Sequence, residues 1–252
     1  ITGNTITIDS PILEGDKITG VANYEPRVVL TTETPFKSAS HVVKMKLSGN
    51  VYNDGDVIET QSYIYGLAKG GATYDVYSIA AYKTIVDDSE WEPDEVRNHT
   101  LGGQKCAIMR DKPTFENHGL YGDGQTDDSV NLKFLLENSS GLITSLPNSV
   151  YFFDSEEEVN TTAYLTLRMN NSTILFGKSK NSCGINFEHG LTVTDAIFDG
   201  GNNGLNSIGS RSGIIRVAGD NFYDRNVTYQ NAVGLEDETQ YGVIINQNTK
   251  SL

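Results

Sequence analysis

At 252 residues the chain is long enough for one large domain or two modest ones, and for a sizeable buried core. A net charge of −14 excludes nucleic-acid binding, which needs a basic surface to displace counterions, and disfavours an anionic membrane. No apolar run approaches the roughly 18 residues of a membrane span, so no membrane insertion is expected. The 25 glycines against 6 prolines suit many turns between short strands. The 13 tyrosines offer flat faces for stacking, or serve simply as good strand formers. Cys106 and Cys183 fall in different predicted domains, and two free thiols fit synthesis in a reducing cytoplasm. His41, His99 and His118 share no metal-like spacing, and neither a metal nor a cofactor is expected.

Residues 1–30 alternate apolar and polar through Ile6, Ile8, Ile12, Leu13, Ile18 and Val21, with Pro11 and Gly15-Asp16 as turn residues. A hairpin of this size does not fold alone, so it is read as the end of an upstream β module. No basic start followed by an apolar core precedes it, and the chain opens at Ile1, so the natural N-terminus is expected further upstream.

Residues 31–112 are predicted to form a small, mostly β knob. Thr34-Pro35 and Ser38 lead into Val42, Val43, Met45 and Leu47, the pattern of a short capped helix. Asn53-Asp54-Gly55 predicts a tight turn between Val51-Tyr52 and Val57-Ile58. Strands are predicted over Tyr63-Ile64-Tyr65 and from Thr73 to Ile79, flanking the loop Lys69-Gly70-Gly71-Ala72. Trp91 sits in the acidic loop Glu90–Glu95, Leu101 to Met109 closes the knob, and Lys112-Pro113 reads as a linker.

Residues 113–252 read as a short helix followed by stacked strands. Gly122 and Gly124 permit a tight turn, Thr126 or Asp127 can cap the helix, and Val130, Leu132, Phe134, Leu135 and Leu136 supply an apolar surface. Asp123, Asp127 and Asp128 cluster oxygens but lack the glutamate spacing of a calcium loop. Strand-like runs follow at Tyr151-Phe152-Phe153, Tyr164 to Leu167 and Thr173 to Phe176, with Asn170-Asn171-Ser172 and Gly177-Lys178-Ser179 as turns. Gly184-Ile185-Asn186-Phe187, Gly213-Ile214-Ile215-Arg216 and Gly242-Val243-Ile244-Ile245 then recur at 29-residue intervals. A fixed period with few helix-compatible segments predicts an all-β solenoid, a parallel β-helix in which Ile185, Ile214 and Val243 share one column; a β-sandwich is the alternative. The chain stops at Leu252 just past a strand and with no second cap, so more chain is expected to follow.

Gly55-Asp56-Val57-Ile58-Glu59-Thr60 and Gly70-Gly71-Ala72-Thr73-Tyr74-Asp75-Val76 resemble the small β domain that precedes the β-helix in many bacteriophage tailspikes. Gly119-Leu120-Tyr121-Gly122-Asp123-Gly124-Gln125-Thr126-Asp127-Asp128-Ser129 is similar to the leading motif of pectate-lyase-like, right-handed parallel β-helix proteins. In that family the short helix caps the lower end of the stack. The resemblance touches nearly the whole chain and implies a virion-borne, homotrimeric tailspike made in the bacterial cytoplasm. It would attach through its N-terminal region to tail or baseplate proteins and lead toward a region that recognises bacterial surface polysaccharide. The full-length protein would be a capsule or lipopolysaccharide depolymerase, a glycoside hydrolase or lyase, with no complete active site expected in residues 1–252. The alternative is a non-catalytic connector or adhesin of the phage tail; a secreted polysaccharide lyase is disfavoured by the tailspike-like knob.

Family members commonly bind or cut polysaccharide with outer-face carboxylates, for which Glu188, Asp195, Asp199, Asp220 and Asp224 are candidates, with Asp195, Asp224 and Glu188 as the catalytic ones. A 29-residue register stacks Asp195 on Asp224, where two ionised carboxylates one strand apart repel by about 3–4 kcal/mol. A retaining glycosidase tolerates that spacing. The competing register puts Asp195 and Asn226 in one turn slot, where a left-handed backbone favours Asn or Asp; this structural register is preferred. His189 beside Glu188 reads as a turn residue, because neighbours on a strand face opposite ways. The sequons at Asn98, Asn160 and Asn226 carry no meaning in a protein made inside bacteria.

Overall fold

The computed structural model describes residues 36–47, 52–155, 157–177, 184–201, 207–208, 211–218, 221–232 and 241–245. The expected hairpin of residues 1–30, Cys183 and Asp220 lie outside the described residues.

A five-stranded sheet comes first. It is built from β1 (Phe36–His41), β2 (Val57–Ser62), β3 (Thr73–Ser78), β4 (His99–Leu101) and β5 (Lys105–Met109), in the order β1-β2-β3-β5-β4. Two helices accompany it, α1 (Val42–Leu47) and α2 (Ile79–Val86). Period-two alternation in β2 buries Ile58, Thr60 and Ser62, and the sheet packs Met45, Ile58, Tyr74, Val76 and Ala107 into one core.

The Asn53–Gly55 turn forms, with Gly55 at φ 85°, yet it closes no hairpin. The buried Asp56 carboxylate accepts from Asn53 N at 2.8 Å and binds Lys37 Nζ at 2.7 Å, which draws β1 alongside β2 in parallel instead. Tyr63 to Tyr65 make no strand; Gly66 turns the chain at φ 81°, and the Tyr63 hydroxyl donates to Val96 O at 3.0 Å. Ile79 opens α2 rather than ending a strand, because Ser78 Oγ caps it by accepting from Ala81 N at 3.3 Å.

The leading motif follows as a 3-10 turn (Glu116–His118), β6 (Asp123–Asp127) and α3 (Ser129–Glu137). Leu132, Leu135 and Leu136 lie one helical turn apart and are fully buried, whereas Val130 is 77% exposed. The capping differs from expectation. Asp127 Oδ1 accepts from Ser129 N at 2.9 Å, while Asp128, at the cap position, turns back to accept from Tyr121 N at 2.6 Å and Gly122 N at 3.1 Å. Asp123 accepts from Gln125 N and Thr126 N, so each of the three aspartates binds its own loop.

The remaining strands wind into a three-walled parallel stack. The first coil comprises β7 (Gly141–Thr144), β8 (Val150–Phe153) and β9 (Val159–Asn160). The second comprises β10 (Leu165–Phe176) and β11 (Ile185–Phe187). The third has β12 (Leu191–Asp199), a two-residue β13 (Ser207–Ile208) and β14 (Arg211–Val217); the fourth has β15 (Phe222–Gln230) and β16 (Tyr241–Ile245).

The long strands β10, β12 and β15 each bend and serve two walls. Their first halves stack on β7 and form wall one; their second halves stack on β8 and form wall two. Wall three stacks β9, β11, β14 and β16. At the base, α3 lies against β8 and β9, Asn160 N donates to Glu137 Oε1 at 3.1 Å, and Thr162 Oγ1 donates to Glu137 O at 2.7 Å. The helix thereby covers both apolar core and an unpaired strand edge.

The 29-residue column is corrected by one position. In wall three Ile185 stacks on Ile215, not Ile214, and Ile215 on Val243. Val159, Ile185, Ile215 and Val243 form the column, at intervals of 26, 30 and 28 residues. The repeated glycines do not align, since Gly213 pairs with Tyr241.

The bend between walls one and two has its own logic. It takes residues 145–149 in the first coil, 169–171 in the second, and the single residues Asp195 and Asn226 above. Asn148, Asn170, Asn171, Asp195 and Asn226 all have φ between 50° and 63°, the left-handed region that Asn and Asp tolerate best.

Candidate functional site

Wall one carries an outward-facing set of aromatic, hydroxyl and guanidinium side chains. Alternation sends Ile143, Leu167 and Val193 into the core, and sends the residues on either side of them outward. Register then aligns two outward columns. One contains Leu142, Thr166, Thr192 and Tyr223; the other contains Thr144, Arg168, Thr194 and Arg225. Tyr164, just before β10, leans along this face with its hydroxyl 2.5 Å from Thr192 Oγ1. Tyr164 is 38% and Tyr223 55% exposed. Arg168 and Arg225 are exposed, and neither has an ion pair or side-chain hydrogen bond among the described residues. Every ion pair among those residues joins side chains between Lys37 and Glu157, away from the upper coils.

The predicted carboxylates each engage a different neighbour. Asp195 pairs with Asn226, whose Nδ2 donates to Asp195 Oδ1 at 2.9 Å, so the structural register holds and the Asp195–Asp224 stack does not form. Asp224 instead sits over Val193, in the inward column of Ile143, Leu167 and Val193, and accepts from the Tyr229 hydroxyl at 3.2 Å. Tyr229 lies flat against Phe198, centroids 5.5 Å apart, and burial followed by the Asp224 charge raises its pKa. Glu188 and His189 occupy the turn before β12, where Glu188 Oε1 accepts from Asn186 Nδ2 at 3.2 Å. Asp199 feels the penalty of partial burial, yet hydrogen bonds from Gly201 N, Asn231 and Gln230 outweigh it and hold its pKa below the usual range. Glu188, Asp195 and Asp224 thus each have a separate hydrogen-bond partner, Asn186, Asn226 and Tyr229 in turn.

Arg168, Arg225, Tyr164 and Tyr223 were not singled out by the sequence. The signal lay in the tetrapeptides Leu165-Thr166-Leu167-Arg168, Leu191-Thr192-Val193-Thr194 and Phe222-Tyr223-Asp224-Arg225, which align in phase where the Gly-Ile runs do not.

Below the stack, the knob and the leading motif meet over buried polar groups. Glu116 Oε1 accepts from Leu146 N at 3.1 Å and from the Tyr151 hydroxyl, tying the 3-10 turn to the first coil. His99 and His118 are fully buried, and burial is the main cause pushing each down to about 4. His118 Nδ1 faces Thr114 O at 3.0 Å and Asn117 Oδ1 at 2.7 Å; neither nitrogen of His99 has a hydrogen-bond partner. An open cleft of about 410 Å³ lies alongside, lined in part by Lys69, Lys112, Glu116 and Ser145.

No protein-family model and no curated protein matches the chain. Solved structures do. A glycan biofilm modifying enzyme of Pantoea stewartii, WceF, described as having a bacteriophage tailspike-like parallel β-helix fold, aligns with a TM-score of 0.52 and 14% identity. The alignment covers 78% of this chain and 30% of that one. A tailspike protein of the Acinetobacter baumannii bacteriophage Fri1, a capsular polysaccharide depolymerase, aligns with a TM-score of 0.43 and 12% identity, over 83% of this chain and 52% of that one. The chain therefore spans about a third to a half of the length of the structures it matches. Its fold is an all-β, tailspike-like parallel β-helix. No described helix is long and apolar enough to cross a membrane.

Proposed function

We propose that this chain is part of a phage tailspike that recognises bacterial surface polysaccharide, and that wall one is the surface that meets the glycan. The observation that carries the reading is the outward grid of Tyr164, Thr192, Tyr223, Arg168, Thr194 and Arg225 on a rigid sheet. Exposed aromatic faces stack on the apolar faces of sugar rings, and threonine and arginine donate to hydroxyl and ring oxygens. The likeness to WceF supports the scaffold, and what WceF acts on suggests the ligand class. In the homotrimeric virion protein the knob would face the tail, and the stack would lead away from it toward the cell surface.

For catalysis we propose that residues 1–252 recognise the glycan and hold no complete active site of their own. Among the catalytic candidates Glu188 and Asp224 are both exposed, Glu188 in the turn before β12. Incubating the purified chain with a panel of bacterial capsules tests both points. Binding without release of reducing ends is expected, and Tyr223→Ala should weaken it roughly tenfold, about the loss of one stacking contact. Absence of binding to every capsule would overturn the proposal.

A further inference from the structure

We infer that the glycan read by wall one is anionic, with carboxylate groups carried at intervals along the stacking axis of the coils. This deepens the polysaccharide reading above and rests on it. Arg168 and Arg225 belong to one outward column and are separated by the single strand that carries Thr194. Two strand spacings put their backbones about 9.6 Å apart, close to the length of a disaccharide unit. A polymer bearing one carboxylate per disaccharide, laid along the column, meets one guanidinium at each acidic sugar.

Charge makes this specific rather than generic. The chain carries −14 overall, so its long-range field repels polyanions. Against that background, two guanidinium groups with no carboxylate partner among the described residues form a local cationic stripe. A guanidinium presents paired N–H donors that match a carboxylate, whereas a neutral sugar offers no acceptor of comparable strength. Thr144 and Thr194 interleave the arginines in the same column, and their hydroxyls make no hydrogen bond among the described residues. Tyr223 and the Tyr164–Thr192 pair lie two residues away along the strands, roughly 7 Å to the side, where a sugar face would rest.

The experiment measures binding of the whole chain to polygalacturonate, to the same polymer with its carboxyls reduced, and to acidic and neutral bacterial capsules. The wild type should prefer the carboxylate form at least tenfold over the reduced form, and R168Q/R225Q should erase that preference. R168K/R225K keeps the charge but loses the fork, and should recover only part of it. Both side chains are exposed, so unchanged melting temperatures are expected and confirm that the variants fold. Equal binding of neutral and acidic glycans, insensitive to the arginine variants, overturns the inference while leaving polysaccharide recognition intact. Failure to bind any glycan overturns both. A change of oligomeric mass in R168Q/R225Q without a change in glycan preference also overturns it, because the arginines would then face a second copy of the chain.

Discussion

A left-handed backbone at Asp195 is the point on which the carboxylate question turns. With φ at 55° and its oxygen engaged by Asn226, this side chain secures a corner. Asp195→Asn should therefore be nearly neutral in urea unfolding. Asp195→Ala should cost roughly 1–2 kcal/mol from left-handed strain, and Asp195→Gly less, though both remove the same carboxylate. A second residue-scale expectation concerns acid. His99 and His118 are held down to about 4 by burial, below the ordinary 6.5, so the unfolded chain binds protons more readily. The stability they permit is complete above pH 6.5 and is lost as pH falls toward 4, by up to about 3 kcal/mol for each. Asp128 works the other way. Burial pushes its carboxyl up to about 6 against the hydrogen bonds it accepts, so its ionisation costs stability as pH rises from 4 to 6. The two histidines outweigh it. Melting temperature should fall between pH 7 and pH 5, and His99→Phe should flatten that fall; an unchanged slope would sink the assignment.

At the scale of elements, what the sequence revealed was alternation and what it concealed was phase. Leu165-Thr166-Leu167 and Thr73–Ser78 announce strands because side chains on them alternate between core and solvent. Leu132, Leu135 and Leu136 likewise announce one buried helical face, while Val130 belongs to the opposite face. Helix α2 escaped because Thr73 to Ile79 is rich in strand formers, and a single serine cap redirects the chain at Ile79. The junction between the leading motif and the first coil was also illegible, since it depends on long-range partners. Glu116→Ala should unfold the chain about 2–4 kcal/mol sooner, because it leaves Leu146 N and the Tyr151 hydroxyl without an acceptor. Gly70→Ala should be destabilising at the same junction: at φ 75° an added Cβ would lie 2.1 Å from Glu116 O.

For the molecule as a whole, a constant stacking distance coexists with coils of unequal length. The walls keep their segments in register, and the corners and loops between them absorb every insertion. That is why a 29-residue period read from Gly184, Gly213 and Gly242 found the solenoid yet shifted Ile214 and misaligned Asp224. The glycan-facing grid follows from the corrected register alone, since Arg168 and Arg225 share a column only if β10, β12 and β15 stack as described. Disulfide trapping in a Cys106→Ala/Cys183→Ala background tests that register directly. Thr166 and Thr192 are paired Cα partners, about 4.8 Å apart and within disulfide reach, whereas Thr166 and Thr194 are offset to roughly 8 Å. Mild oxidation should cross-link Thr166→Cys/Thr192→Cys readily and leave Thr166→Cys/Thr194→Cys reduced; the reverse pattern would contradict the stacked-wall account.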